Sequence, residues 1–233
     1  MDFHTFSKLE MRPAVHRTQL TGDARALVDE MLSYKRQFEA VRDAAAESEA
    51  HELDSFWLRK TRKAVISVVM TKQGVRPRPR RRPPPLPRAH VPPLHVAGDA
   101  PVFYRGMNVE VSMPTGTLCA ERNAIGNALA ANQTLRRQDI KAVAVLSLHL
   151  KPTHADVRDA AGGAAAQSTI AGAQGGDVLA EVALNPLAPC GACMEWLKKI
   201  AEVNPDFEVI TFSDTACDYV YQTPVPPDSH GGA

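Results

Sequence analysis

Along residues 21–45, apolar side chains return at alternating steps of four and three: Leu27, Met31, Tyr34, Phe38, Val41 and Ala45. This spacing places them on one stripe of an α-helix. Asp29, Glu30, Lys35, Arg36, Glu39 and Arg42 fill the opposite side. Thr21-Gly22-Asp23 supplies side-chain oxygens that can accept from the free N–H groups of a first turn. The pattern predicts a helix of about 24 residues. Its stripe needs a surface to bury against, either the protein's own core or another subunit. A second helical piece is expected over 49–61, carrying Leu53, Phe56, Trp57 and Leu58, with core packing favoured over a binding role for Phe56 and Trp57. Residues 1–20 show no period.

After residue 63 the period changes. Ala64-Val65-Ile66-Ser67-Val68-Val69-Met70 is short and β-branched, the signature of a buried strand. Further strands are expected over 101–109, 140–150, 207–212 and 218–225. Between them, a helix should start at Thr117-Leu118-Cys119 and continue to Ala130. Another should follow Cys193, with Trp196, Leu197 and Ile200 on its apolar face, Lys198 and Lys199 outward, and a stop at Asn204-Pro205. Strands alternating with helices imply an α/β layered fold. The expected layout is a helical extension over 1–63, a catalytic domain over 64–225 and a disordered tail over 226–233.

Two stretches interrupt this pattern. Residues 75–99 contain Arg76-Pro77-Arg78-Pro79-Arg80-Arg81-Arg82-Pro83-Pro84-Pro85, where proline removes backbone donors and fixes φ, so neither a helix nor a central strand can form. The stretch reads as an extended, solvated insertion whose arginines are suited to touching phosphate. Residues 151–180 are rich in Ala, Gly and small polar groups and read as a second flexible insertion.

Composition narrows the class. With 233 residues the chain can bury one sizeable core. A formal net charge of +1 gives no bulk attraction to a polyanion. The start, Met1-Asp2-Phe3-His4-Thr5, lacks a secretory apolar stretch, and the apolar run at 64–70 is too short to span a bilayer. The expected compartment is cytoplasmic and reducing, with an organellar address left open. There, four cysteines read as metal ligands rather than disulfides.

Three of those cysteines fall in two motifs, Leu118-Cys119-Ala120-Glu121-Arg122-Asn123-Ala124 and Pro189-Cys190-Gly191-Ala192-Cys193. Zinc prefers four ligands, and a catalytic zinc leaves one position to water, so three thiolates suit it. Glu121, two residues beyond Cys119, can lie beside the metal without binding it and act as the proton carrier. Arg122 is the candidate donor that withdraws charge from the sulfurs. Three alternatives stand beside this reading. Zinc could be structural and closed by Cys217 or a histidine. Cys190 and Cys193 could form a redox pair. Glu121 could be an ordinary acidic residue in a first helical turn.

Cys-x-Glu followed by Pro-Cys-x-x-Cys resembles the zinc-deaminase signature, and the chain resembles the cytidine deaminase family. Gly106-x-Asn108-x-Glu110 is similar to the G-x-N-x-E segment of that family, and the likeness extends over residues 62–74, 101–150 and 183–222. The resemblance implies a three-layer α/β/α fold with a mixed central sheet. It implies that Asn108 and Glu110 bind the ribose hydroxyls, that the Ala120 N–H binds the pyrimidine carbonyl, and that Arg122 tunes a three-cysteine site. It further implies Zn²⁺ as cofactor, a pyrimidine nucleoside as substrate and a homo-oligomer. Two departures bear on substrate: the first strand lacks the family's Phe, and Met194-Glu195 stands where the family favours Arg-Gln. The leading expectation is hydrolytic deamination of cytidine or deoxycytidine. The competing readings are a cytosine in RNA or DNA, an unusual aminopyrimidine nucleoside, and a non-catalytic zinc-stabilised module that works through its helical stripe.

Overall fold

A computed structural model of the protein describes residues 12–45, 52–58, 63–72, 100–111, 117–148 and 185–227. Both expected insertions lie wholly outside the described residues, as do residues 228–233 of the tail expected over 226–233. In chain order the elements are β1 (Val15–His16), α1 (Gly22–Ala45), β2 (Ala64–Thr71), β3 (Val102–Met107), β4 (Val109–Glu110), β5 (Thr117–Leu118), α2 (Ala120–Ala131), β6 (Ile140–Leu148), α3 (Gly191–Ala201), β7 (Glu208–Phe212) and β8 (Tyr219–Pro224).

Six strands form one sheet in the order β1-β8-β7-β6-β2-β3. At its centre β2 pairs antiparallel with both β3 and β6, and β6 pairs parallel with β7. A parallel pair needs a crossover between its strands, and α3 lies in that connection. The sheet is therefore mixed.

Alternation along the strands divides the core in two. Ile66, Val68 and Met70 of β2, Ala144, Leu146 and Leu148 of β6, and Ile210 and Phe212 of β7 face α1 and bury Leu27, Val28, Met31 and Phe38. Each such fully buried aliphatic side chain contributes about 1.5–3 kcal/mol relative to exposure. Val69, Val143, Val145 and Val209 face the other way, against Ala124, Ile125 and Ala128 of α2 and Leu197, Ile200 and Ala201 of α3. Among the described residues the result is three layers, with α1 and the turn bearing Leu53 and Leu58 on one face and α2 and α3 on the other. The α1 stripe thus buries against the protein's own sheet. Arg105 of β3 adds a polar tie, reaching α1 through Glu30 at 2.7 Å and Gln37 at 2.5 Å and lying over the Tyr34 ring.

Several elements differ from expectation. Val15–His16, in a stretch with no period, forms a short strand on β8; pairing of this kind uses backbone groups and leaves no side-chain pattern. The piece at 49–61 is described only over 52–58, where it is a single π-helical turn, Leu53–Trp57, with Leu58 N–H donating to Leu53 O at 2.9 Å. The strand expected over 101–109 ends at Met107, and Val109–Glu110 pairs separately with Thr117–Leu118. The buried face of α3 is Cys193, Leu197, Ile200 and Ala201. Trp196 sits about 100° from Leu197 and is 45% exposed rather than part of that face. Val41 is likewise 48% exposed, so the α1 stripe is buried mainly in its first half.

Candidate active site

Helices α2 and α3 each begin with a cysteine. Cys119 is the residue before the first turn of α2 and Cys190 the residue before the first turn of α3, both in extended backbone. Their carbonyls accept the first helical bonds, from Asn123 N–H at 3.0 Å and Met194 N–H at 2.8 Å. The positive ends of two helix dipoles therefore meet at these sulfurs, which favours thiolate. Cys193, fully buried in the first turn of α3, completes the group. The three Sγ atoms lie within 4.8 Å of one another, with Cys119 and Cys190 3.5 Å apart. Three sulfurs bonded tetrahedrally to one zinc at about 2.3 Å stand about 3.8 Å apart, so the donor set fits that ion.

The three thiols are tied to one another by hydrogen bonds, and this sets their electrostatics. A hydrogen bond from the Cys119 thiol, then one from Cys193, pushes the Cys190 thiol down to about 2. The same sharing raises Cys119, and it raises Cys193 further. Without a cation the three sulfurs compete for negative charge, whereas a bound metal needs all three deprotonated. The Arg122 Nη2 donates to Cys119 Sγ at 3.7 Å, and its buried Nε has no acceptor among the described residues.

Glu121 sits in the first turn of α2 and is 4% exposed. Desolvation raises its carboxyl above the ordinary range, opposed by a backbone hydrogen bond and by one involving Cys193. A carboxyl group beside the sulfurs that protonates readily is suited to carrying protons. Ala120, the first residue of α2, is fully buried, and its N–H belongs to the helix start that has no intrahelical acceptor.

Asn108 follows β3 directly, and Glu110 ends β4. The β4–β5 pairing sets Glu110 opposite Thr117, two residues before Cys119. Asn108 is 4% exposed and already engaged. Its Oδ1 accepts from Val65 N–H at 2.8 Å, while its Nδ2 donates to Lys63 O at 2.8 Å and to Glu110 Oε1 at 3.1 Å. Both amide hydrogens are thus committed, one of them to orienting Glu110.

Of the alternative ligands for a closed site, Cys217 and His16 are described and lie elsewhere, while the other histidines fall outside the described residues. Cys217 is buried in the α1-side core. His16 is on edge strand β1, against the Tyr219 ring. Among the described residues, the ligand group around Cys119 contains the three cysteines.

Sequence reasoning missed a set of asparagines that tie these elements together. Asn123 and Asn127 of α2 donate to Met107 O and Arg105 O, each at 2.8 Å. Asn185 accepts from Ser147 N–H at 3.1 Å and donates to Ser147 O at 2.9 Å, anchoring the loop before Cys190 to β6. No local pattern marks such residues, because their partners are backbone groups distant in sequence.

Comparison with known proteins bears on this arrangement. A family model described as LmjF365940 subfamily CDD/CDA-like deaminase matches residues 25–183 and 165–226. Among curated proteins nothing matches. Among solved structures, the crystal structure of cytidine deaminase from Burkholderia pseudomallei is similar at 19% identity and a TM-score of 0.39, over 78% of this chain and 85% of that one. The family match covers more than half of the chain and spans the cysteine cluster, Glu121 and the Asn108–Glu110 segment, and on it the chain belongs to the LmjF365940 subfamily of CDD/CDA-like deaminases.

Proposed function

We propose that the protein is a zinc-dependent hydrolytic deaminase of cytidine or deoxycytidine, releasing ammonia and the corresponding uracil nucleoside. The observation that carries this reading is the buried Glu121 carboxyl beside three convergent cysteine sulfurs. Cys119, Cys190 and Cys193 would hold the zinc, which supplies a water that loses its proton near neutral pH. Arg122 offsets the sulfur charge that would weaken that effect.

Deamination at C4 of the base needs water to attack, N3 to gain a proton, and the departing amine to gain another. Glu121 takes the proton of the attacking water, gives it to N3, and passes the second proton to the amine as the C4–N bond breaks. Burial favours this cycle because it brings the neutral and charged forms of the carboxyl closer in energy. The Ala120 N–H would orient the base through its carbonyl oxygen. Glu110, steered by Asn108, would accept from a sugar hydroxyl.

The test is ammonia release from a panel of cytidine, deoxycytidine, cytosine and other aminopyrimidine nucleosides, with zinc counted per chain. One zinc per chain together with turnover of a cytosine nucleoside is the expected result. Full zinc occupancy with no ammonia from any member of the panel overturns the reading.

A further inference from the structure

Among the described residues β3 is the last strand of the sheet, so one of its edges has no neighbouring strand. Asn108, just after the strand, donates its N–H inward to Val65 O at 3.0 Å. By alternation, the carbonyls of Arg105 and Met107 face outward. Open groups of this kind invite pairing with another chain. In this protein α2 occupies the edge: Asn123 Nδ2 donates to Met107 O and Asn127 Nδ2 to Arg105 O, each at 2.8 Å.

The two spacings match. Four residues of α-helix rise about 6 Å, and two residues of strand span about 6.8 Å. Each amide reaches its own carbonyl at a single axial setting of the helix, and a slip of one turn breaks the pattern. Between the two bonds the backbones touch. A Cβ on Gly106 would stand 2.3 Å from Ala124 N and 2.6 Å from Ala120 O.

Cys119 is one turn before Asn123, and Glu121 is two residues before it. The setting of α2 on β3 therefore determines where the sulfur and the carboxyl fall relative to α3 and to Glu110. We propose that Asn123, supported by the more exposed Asn127, is a positioning residue. It sets the register of α2 on the edge of β3 and so aligns Cys119 with the Cys190–Cys193 turn and Glu121 with Glu110. The part concerning Glu121 rests on the deaminase reading; the part concerning Cys119 does not.

The experiment compares wild type, Asn123→Ala, Asn127→Ala and the double variant with Leu27→Ala, a destabilising change on the opposite face of the sheet. Cobalt(II) is titrated into metal-free protein and followed by its d–d and thiolate charge-transfer bands. Then kcat and KM for cytidine are measured on zinc-loaded protein well below the unfolding temperature. Asn123→Ala is expected to bind cobalt(II) about 10-fold more weakly with a shifted d–d envelope. Its kcat should fall about 10- to 100-fold, with KM changing less. Leu27→Ala should lower the unfolding temperature and leave the spectrum and kcat unchanged. If the double variant does not fold, the single variants carry the test.

The proposal is overturned if Asn123→Ala behaves like Leu27→Ala, losing stability with unaltered cobalt affinity, spectrum and kcat. It is overturned equally if wild type binds no cobalt. Cobalt shifts as expected, with no ammonia released from any nucleoside by wild type, would sink the deaminase reading and leave the placement of Cys119 standing.

Discussion

On its α1 side the sheet meets Leu27, Val28, Met31 and Phe38 in a chiefly apolar contact, with polar ties from Arg105 to Glu30 and Gln37 and from Lys141 to Asp23. On its other side it meets two helices through smaller side chains, chiefly Ala124, Ile125, Ala128, Leu197 and Ala201. Those helices also present their N-terminal ends, three cysteines and a buried carboxyl. Both faces contain a buried cysteine, yet the two behave differently. Cys217 packs among hydrocarbon and stays a neutral thiol. Cys193 sits at a helix start among other sulfurs and must share charge with them. One face is organised for stability, and the other keeps polar groups that stability alone would not retain. Changes on the two faces should therefore separate stability from turnover.

The largest effect expected is on the α2–α3 face. Glu121→Ala should lower kcat by about 10²- to 10⁴-fold, while zinc content stays at the wild-type level. Its unfolding temperature should stay level or rise, because a desolvated carboxyl is removed. Steady-state kinetics, metal analysis and thermal unfolding on one preparation check all three. Wild-type turnover in the variant would remove Glu121 from the chemistry.

The opposite result is expected on the α1 face. Leu27→Ala leaves a cavity beneath a fully buried position and should cost about 2–5 kcal/mol in urea unfolding. Its kcat per folded molecule should match wild type. A drop in kcat at full folding would show that the two faces are coupled and that the division above is wrong.

Gly106 of β3 lies against α2, and its effect should be of intermediate size. In Gly106→Ala the new Cβ meets backbone atoms of α2, which cannot rotate away as a flexible side chain would. Overpacking of this kind costs about 1–3 kcal/mol. Because α2 carries Cys119, bound zinc should fall together with the unfolding temperature. Lost stability with full zinc occupancy would mean that the helix absorbs the clash without moving its first turn.

The sequence exposed the chemistry more readily than the scaffold that aims it. Cys119, Glu121, Cys190 and Cys193 lie in short motifs, because side chains that meet at one place from a single helix start must be close in sequence. The α1 stripe was legible because burial repeats along it. Glu110 could be placed by its motif, but the pairing with Thr117 that sets it near Cys119 could not, since two-residue ladders carry no periodic signal. Asn123, Asn127 and Asn185 were invisible for the same reason: each satisfies a backbone group that only the fold brings near. Trp196 misled because an apolar residue one step from a buried stripe looks like part of it, and only the packing of α3 shows that it is exposed.

The smallest effect expected is on Cys217, and it tests whether this sulfur belongs to the hydrocarbon face. Burial pushes its thiol up to about 12, from an ordinary value near 9.0. The folded protein thus holds the proton more tightly than the unfolded chain does. The sign follows: the contribution to stability is fully present below about pH 9 and is lost as pH rises from there towards about 12, at roughly 1 kcal/mol per pH unit. Cys217→Ala removes that group while leaving Cys119, Cys190 and Cys193, the lysines and the tyrosines to titrate as before. Urea unfolding at pH 8, 9 and 10 should therefore show wild type losing stability more steeply than Cys217→Ala above pH 9. The left-handed backbone at this position, with φ of 60°, strains Ala as it does Cys, so it cancels in the comparison at every pH. In folded wild type the same burial should keep Cys217 from reacting with iodoacetamide at pH 8. Parallel pH profiles for the two proteins, or rapid alkylation of Cys217 in the native state, would show that its thiol is open to water and that the α1 face is less closed than its packing indicates.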